Sequence, residues 1–154
     1  MDHLIKTIKN KSNLIRLGRP KNYLTVKTKM KNVLLVEDES FLANLLRSRL
    51  DKEELVTQIA RDGEEALKFL KETKFDLVLL DIILPKLSGF EVLERMQADP
   101  ELQKIPVMII SNLGQESDIS RGQALGTVDY FVKARISIED LIAHVKRFLG
   151  NSKP

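Results

Sequence analysis

Polar residues able to take part in phosphoryl transfer follow four short apolar runs of this 154-residue chain. Glu37 and Asp38 come after the first run, Asp81 after the second, Ser111 after the third and Lys133 after the fourth. Short runs of Val, Ile and Leu are typical of parallel strands buried on both faces, and ligands bind beyond the carboxyl ends of such strands. We therefore expect three carboxylates, a hydroxyl and an ammonium to meet at one edge of a sheet.

These groups suit the transfer of a phosphoryl group to a carboxylate. Asp81, fixed at the tip of a buried strand, can attack a phosphorus atom and become an aspartyl phosphate. Because charge develops on three phosphoryl oxygens, the site needs cations. Glu37, Asp38 and Asp81 make an oxygen-only site suited to Mg²⁺, while Lys133 offers a positive charge and Ser111 a hydrogen bond. Each residue alone fits an ordinary turn or helix start, but their joint occurrence at successive strand ends favours a site.

Segments typical of strands and helices alternate from Asn32 onward, which predicts a doubly wound α/β sheet of five strands and five helices. Ser40 is the expected N-cap of the first helix. The predicted apolar face of that helix consists of Phe41, Leu42, Leu45, Leu46 and Leu50. The fourth helix, near Glu116 to Leu125, has few apolar residues and a central Gly122, so we expect it to be the mobile element.

Composition indicates an ordinary globular protein, with 43% hydrophobic residues and no cysteine for disulfides or thiolate metal sites. No apolar stretch reaches the roughly 18 residues of a membrane span, and the N-terminus lacks a signal-peptide core. We therefore expect a cytoplasmic protein. The predicted organisation is a basic extension over residues 1–31, one domain over residues 32–150 and a tail over residues 151–154.

Charge is distributed unevenly along the chain. Residues 1–31 carry nine Lys or Arg and one acidic residue, a formal charge of +8, whereas residues 32–154 carry 16 basic and 21 acidic residues, a formal charge of −5. Such asymmetry marks a boundary. Three interpretations of residues 1–31 stay open: a disordered or non-native tail, an electrostatic arm for nucleic acid, anionic membrane or an acidic partner, and an ordered segment. The ordered segment would use the apolar residues Leu4, Ile5, Ile8, Leu14, Ile15 and Leu17.

Several motifs occur together in this chain at a fixed spacing. They are Val36-Glu37-Asp38-Glu39, Asp62-Gly63-Glu64-Glu65-Ala66-Leu67, Asp81-Ile82-Ile83-Leu84-Pro85 with Ser88-Gly89, Ser111, and Asp129-Tyr130-Phe131-Val132-Lys133. With this set, the chain resembles the response-regulator receiver domains of two-component signalling over about residues 31–150. The resemblance implies a flavodoxin-like fold: a five-stranded parallel sheet in the order 2-1-3-4-5 with helices on both faces.

The resemblance also implies a role for each side chain. Asp81 would accept the phosphoryl group from a histidine kinase or a histidine phosphotransfer protein, with Lys133 and Ser111 as its catalytic neighbours. Ser111 would move toward the phosphoryl group and Tyr130 would turn inward behind it, although Tyr130 also suits a plain edge strand. The implied Mg²⁺ ligands are Glu37, Asp38, Asp81 and the backbone carbonyl of Ile83.

The chain departs from the family pattern at four positions. Glu37 stands where Asp is commoner and Ser111 where Thr is commoner, and both keep the functional group. Asn112 replaces a small Ala, which affects switching and partner choice. Ala134 follows Lys133 where the family usually has Pro, so we expect this loop to differ.

The resemblance implies a single-domain response regulator that either signals by docking on a downstream protein or passes the phosphoryl group on. Self-phosphorylation would serve as a switch and not as enzymatic turnover. A dimer through the last helix and strand stays open. The alternative functions are a pseudo-receiver that serves as a binding scaffold, and an adaptor whose basic arm contacts nucleic acid or membrane. A haloacid-dehalogenase-like phosphatase is excluded, because such enzymes need a second Asp where this chain has Ile83.

Two apolar residues are predicted to prolong the life of the phosphorylated form. Ile83 lies two residues after Asp81, and Leu113 lies two residues after Ser111. Neither side chain can hydrogen-bond a water in line with phosphorus, and orienting that water is a main contribution to hydrolysis.

Overall fold

The computed structural model describes residues 14–17, 24–27 and 29–151. The chain divides into two units, residues 1–30 and 31–154. In the first unit, strand β1 (Leu14–Leu17) pairs antiparallel with strand β2 (Leu24–Lys27). The predicted contribution of Leu4, Ile5 and Ile8 to an ordered segment lies outside the described residues.

The second unit alternates strands with helices, as predicted. Its strands are β3 (Asn32–Val36), β4 (Val56–Ala60), β5 (Leu77–Leu80), β6 (Val107–Ser111) and β7 (Asp129–Val132). Its helices are α1 (Ser40–Asp51), α2 (Gly63–Glu72), α3 (Gly89–Ala98), α4 (Glu116–Ala124) and α5 (Ile138–Asn151). The strands are all parallel in the order β4-β3-β5-β6-β7. This confirms the predicted flavodoxin-like order 2-1-3-4-5.

Side chains of the sheet pack into two hydrophobic clusters, one on each face. Along β3, Leu34 and Val36 belong to the cluster with α2 and α3, whereas Val33 and Leu35 belong to the cluster with α1 and α5. Burial on both faces explains why the strands read as continuous apolar runs and not as alternating ones. In the described part of the chain, no helix is long and apolar enough to cross a membrane.

Strand register brings the polar strand ends together. Val36 is paired with Ala60 on one side and with Leu80 on the other. The next residues continue this pattern, because Glu37 N donates to Ala60 O at 3.0 Å and Asp81 N donates to Val36 O at 3.0 Å. Glu37 and Asp81 therefore leave neighbouring strands at the same edge.

Gly89 fixes the loop that follows β5. A Cβ atom at Gly89 would lie 2.3 Å from Asp81 O, so only glycine lets the start of α3 approach the backbone of Asp81 this closely. Ser88 and Glu91 form a capping box at the same helix end, with Glu91 N donating to Ser88 Oγ at 3.2 Å and Ser88 N donating to Glu91 Oε2 at 2.8 Å. The helix start thus holds the Asp81 loop against the sheet.

Three local predictions are wrong. Glu39, not Ser40, is the N-cap of α1, since its carboxylate accepts from Leu42 N at 2.7 Å and from Phe41 N at 3.3 Å. Phe41 is 76% exposed, because it lies in the first turn beyond the hydrophobic clusters. The chain has two histidines, His3 and His144, and neither belongs to a cluster of ligand residues, which predicts that both are exposed. His3 lies outside the described residues, whereas His144 is half-buried, with its ring centroid 5.0 Å from that of Phe131.

Candidate functional site

Asp81 lies at the centre of the carboxyl edge of the sheet, just after β5, and is only 6% exposed. Its Oδ1 atom accepts from the backbone N–H groups of Ile82 at 2.7 Å and Ile83 at 3.3 Å. Its Oδ2 atom accepts from Lys133 Nζ at 2.7 Å. Hydrogen bonds from two amides and one ammonium therefore fix the orientation of this carboxylate.

Lys133 joins two carboxylates across the sheet. Besides its contact with Asp81, the ammonium donates to Glu37 Oε1 at 2.5 Å, while Glu37 Oε2 accepts from Glu39 N at 3.1 Å. Lys133 comes from the end of β7 and Glu37 from the end of β3, so the fold is needed to bring them together. The predicted approach of Lys133 to Asp81 is confirmed.

Burial and charge act in opposite directions on the ionisation of this cluster. Burial raises the pKa of Glu37, and the hydrogen bond from Lys133 offsets only part of that effect. Burial alone would lower the pKa of Lys133, but hydrogen bonds to Asp81 and Glu37 outweigh burial and raise it. Lys133 is therefore protonated and supplies a positive charge at this edge of the sheet.

Asp38 completes an acidic cluster that fits a divalent cation. One carboxylate oxygen from each of Glu37, Asp38 and Asp81 lies within 4.8 Å of the others. Asp38 is exposed, whereas the other two are buried. Three carboxylates beside a single ammonium leave the cluster negatively charged, and oxygen donors of this kind suit Mg²⁺. The residues present therefore fit the cation that the sequence predicted.

Ser111 and Tyr130 are both bonded to the backbone of Leu113. Leu113 N donates to Ser111 Oγ at 3.3 Å, and Tyr130 Oη donates to Leu113 O at 2.6 Å. Ser111 is fully buried at the end of β6. A single peptide segment thus connects the two residues predicted to be switch residues, a link that residue spacing alone did not reveal.

The Tyr130 ring packs against α4. A Cβ atom at Gly122 would lie 3.0 Å from Tyr130 Cδ2 and 2.9 Å from Ile109 Cδ1, so the helix backbone lies close to the sheet here. Burial raises the pKa of Tyr130, with smaller contributions from the charges of Asp118 and Asp81. Tyr130 is therefore a neutral hydrogen-bond donor in this arrangement.

The predicted site residues fall into two groups. Asp81, Lys133, Glu37 and Asp38 form one cluster, whereas Ser111 and Tyr130 are bonded to the loop before α4. Ile83 donates its amide to Asp81 and leaves its side chain 58% exposed, and the ligand role of its carbonyl stays a prediction. The described residues contain no cis peptide bond, so the Lys133–Ala134 bond is trans.

One contact at this edge was missed by sequence reasoning. Arg61 Nη1 donates to Ser40 Oγ at 2.8 Å, across the loop that carries Glu37 and Asp38. Arg61 follows β4, and Arg residues in such turns are usually solvated, so no sequence signal separated it from other surface cations.

Comparison with known proteins agrees with this geometry. A family model of the response regulator receiver domain matches residues 33–146. The phosphate regulon transcriptional regulatory protein PhoB of Rhizobium meliloti is 38% identical over 122 residues, which are 79% of this chain and 53% of PhoB. The polar-differentiation response regulator DivK of Brucella anthropi is 34% identical over 79% of this chain and 98% of its own length. The chain thus spans about half of PhoB and nearly all of DivK.

Solved structures show the same fold. The receiver domain of the Francisella response regulator 1452 has a TM-score of 0.73 at 27% identity, covering 80% of this chain and 99% of that domain. The phosphorylated cyanobacterial phytochrome response regulator RcpA has a TM-score of 0.73 at 28% identity, covering 81% of this chain and 97% of RcpA. On the family match and the relatives together, this chain belongs to the response regulator receiver domain family.

Proposed function

We propose that this chain is a phosphorylatable single-domain response regulator with Asp81 as the phospho-acceptor. The observation that carries the proposal is the Asp81 carboxylate itself, 6% exposed at a strand end and bonded at 2.7 Å to the Lys133 ammonium. The donor would be the phosphohistidine of a histidine kinase or a phosphotransfer protein. We place this exchange in the cytoplasm as part of the proposal.

In the proposed reaction, a carboxylate oxygen of Asp81 attacks phosphorus as the bond from phosphorus to the donor histidine nitrogen breaks. The nitrogen keeps the electron pair and takes up a proton, which leaves a neutral histidine and an aspartyl phosphate. The Ile82 and Ile83 amides orient Asp81 before attack. This orientation supports the reaction by fixing the carboxylate beside the Lys133 ammonium.

Lys133 and Ser111 would then stabilise the transferred group. The Lys133 ammonium is buried enough to act with little screening by water, since its side chain is 17% exposed. Ser111 Oγ accepts from Leu113 N and keeps its own hydrogen, so the hydroxyl can donate to a phosphoryl oxygen. Glu37, Asp38 and Asp81 would hold Mg²⁺, which when bound neutralises charge on the phosphoryl oxygens.

Signalling would follow from the two bonds to Leu113. A Ser111 hydroxyl drawn toward the phosphoryl group would give up its bond with Leu113 N, and Leu113 O also holds Tyr130. The proposed output is a changed surface around Tyr130 and α4, recognised by a downstream protein. In this proposal, self-phosphorylation sets a switch and does not turn over a substrate.

The test is incubation of the chain with acetyl phosphate and Mg²⁺, followed by intact mass measurement. One added phosphoryl group is expected on the wild type and none on Asp81→Asn. Asp129→Asn, a matched substitution of an exposed Asp at the start of β7, should still be phosphorylated. Absence of phosphorylation in the wild type would reject the proposal and favour the alternative of a pseudo-receiver that acts as a binding scaffold.

A further inference from the structure

The loop between β3 and α1 carries three consecutive acidic residues, Glu37, Asp38 and Glu39. Hydrogen bonds hold Glu37 and Glu39 in place, but none holds the Asp38 side chain among the described residues. Glu37 N is bonded to Ala60 O at 3.0 Å, and the Glu39 carboxylate caps the first turn of α1. No hydrogen bond or ion pair of the Asp38 side chain is present among the described residues. The position of Asp38 therefore depends on what fixes the loop on either side of it.

Arg61 fixes the far side of this loop. Its guanidinium donates to Ser40 Oγ at 2.8 Å, and Ser40 is the first residue of α1, two residues after Asp38. The Arg61 backbone is itself held, because Arg61 N donates to Glu65 Oε1 at 2.9 Å on helix α2. The contact therefore connects the loop to the first turn of a helix on the opposite face of the sheet.

Ser40 is available for this contact because it is not the helix cap. Glu39 takes the N-cap position, so the Ser40 hydroxyl is free to accept from Arg61. In the described part of the chain, Arg61 forms no ion pair with a carboxylate, although three acidic residues lie in the adjoining loop. The contact with Ser40 therefore positions the loop and does not neutralise a charge.

We infer that Arg61 is a positioning residue for cation binding: through Ser40 it holds the loop that presents Asp38. The inference rests on the proposed function, in which Asp38 is a Mg²⁺ ligand. Residues that orient metal ligands strengthen metal binding because they reduce the freedom that binding must remove. A role based on charge alone would have the opposite sign, since a cation beside an acidic cluster repels Mg²⁺ and its removal would tighten binding.

The affinity for Mg²⁺, measured by isothermal titration calorimetry, separates these two roles. Arg61→Ala and Ser40→Ala should each weaken binding by about threefold to tenfold, less than the roughly 10- to 100-fold of a residue bonded directly to a ligand. The double variant should be no weaker than the weaker single variant, because both remove one contact. Arg49→Ala is the control. It also removes one positive charge, but Arg49 lies on α1 and is bonded to Glu139 at 2.9 Å, so its loss leaves the Arg61–Ser40 contact in place. Unchanged or tighter binding in Arg61→Ala would overturn the inference.

Hydrogen exchange in the metal-free protein provides a readout that does not involve the cation. The first backbone hydrogen bond of α1 runs from Ala43 N to Glu39 O at 2.9 Å. The amide hydrogen of Ala43 should therefore exchange faster in Arg61→Ala and Ser40→Ala, but not in Arg49→Ala. Arg61→Lys should restore part of the protection, since Lys keeps a donor but lacks the planar fork. A wild type that binds no Mg²⁺ would overturn the proposed site together with this inference. Intact Mg²⁺ binding with unchanged exchange and affinity in the variants would overturn this inference alone.

Discussion

Lys133 offsets part of the charge of two buried carboxylates, Glu37 and Asp81, but Glu37 is still costly to ionise. Burial raises its pKa above the ordinary value of 4.5, and this exceeds the lowering by Lys133 and by the Glu39 amide. Glu37 is bonded through both oxygens, so its ionised form is satisfied yet poorly solvated. Receiver function would thus retain a charge that costs stability in the metal-free protein.

We predict that Glu37→Gln stabilises the metal-free protein at pH 7. Because the pKa of Glu37 is raised in the folded state, the contribution of Glu37 to stability is fully present below about pH 4.5. This contribution is lost as the pH rises through the folded pKa of Glu37. The neutral Gln avoids this loss, so unfolding by urea in EDTA should show a higher free energy of unfolding than that of the wild type. The gain should shrink as pH falls toward 4.5. Glu72→Gln, at an exposed position, serves as the control, and a gain of equal size there would count against burial as the cause.

The apolar residues at the mouth of the site are predicted to slow hydrolysis of phospho-Asp81. The Ile83 side chain is 58% exposed, and Leu113 is half-buried against the core. Leu113→Glu places a carboxylate able to orient water, so the decay of the phosphorylated form should accelerate by about tenfold or more. Ile83→Asn should have a smaller effect in the same direction. Decay measured by intact mass that is unchanged in both variants would show that water enters by another route.

Helix α4 is held to the sheet by few side chains. Gly122 is its one buried residue, and Ile119 is its one side chain of Ile, Leu, Val or Phe. Arg121 adds contacts to α3, with its guanidinium 4.2 Å from the centroid of the Phe90 ring and 3.0 Å from Glu94 Oε1. Because α4 has few apolar residues, it is attached mainly by the close approach of its backbone at Gly122 and by the contacts of Arg121. Its expected mobility stays a prediction.

We predict that Gly122→Ala destabilises the protein although Ala is the better helix former. Propensity alone would give a gain of about 1 kcal/mol. The added Cβ, however, would lie 2.9 Å from Ile109 Cδ1 and 3.0 Å from Tyr130 Cδ2. Ile109 is fully buried and cannot give way freely, so we expect overpacking to cost about 1–3 kcal/mol, which after the gain in propensity leaves a net loss of up to about 2 kcal/mol in urea unfolding. Gln123→Ala, at an exposed neighbouring position, should be neutral or stabilising. A stabilised Gly122→Ala would mean that α4 moves away from Tyr130 at little cost.

The elements best predicted from sequence are those whose pattern has one physical explanation. The sheet strands were found because burial on both faces leaves continuous apolar runs. The predicted N-cap of α1 was wrong because Glu is an uncommon N-cap residue. Whether Glu39 or Ser40 caps the helix depends on the local backbone geometry. Phe41 shares the helical phase of Leu45, but periodicity does not say where the neighbouring core ends. The Arg61–Ser40 contact joins the turn after β4 to the first residue of α1, 21 residues away in sequence, and so requires the folded structure.

At the scale of the whole molecule, cation binding should be coupled to folding. The unfolded chain does not bring the Glu37, Asp38 and Asp81 carboxylates together, so Mg²⁺ binds the folded state preferentially. We expect a dissociation constant in the micromolar-to-millimolar range and a stability gain of about 2.7 kcal/mol at a hundredfold excess over it. Thermal unfolding across a Mg²⁺ titration measures this gain. Asp38→Ala should remove most of it, and NaCl at equal ionic strength should not reproduce it.

The basic segment and the receiver unit should be separable in function. Every residue of the acidic cluster lies within residues 31–154, which form their own unit. Deleting residues 1–29 changes the formal charge of the chain from +3 to −4, because it removes eight basic residues and one acid. We expect the shortened chain to accept phosphoryl from acetyl phosphate at the rate of the full chain. Any binding of the full chain to duplex DNA should weaken with salt and vanish on deletion, since it would come from phosphate contacts by Lys and Arg. A shortened chain that phosphorylates more slowly would show that the basic segment acts on the Asp81 site.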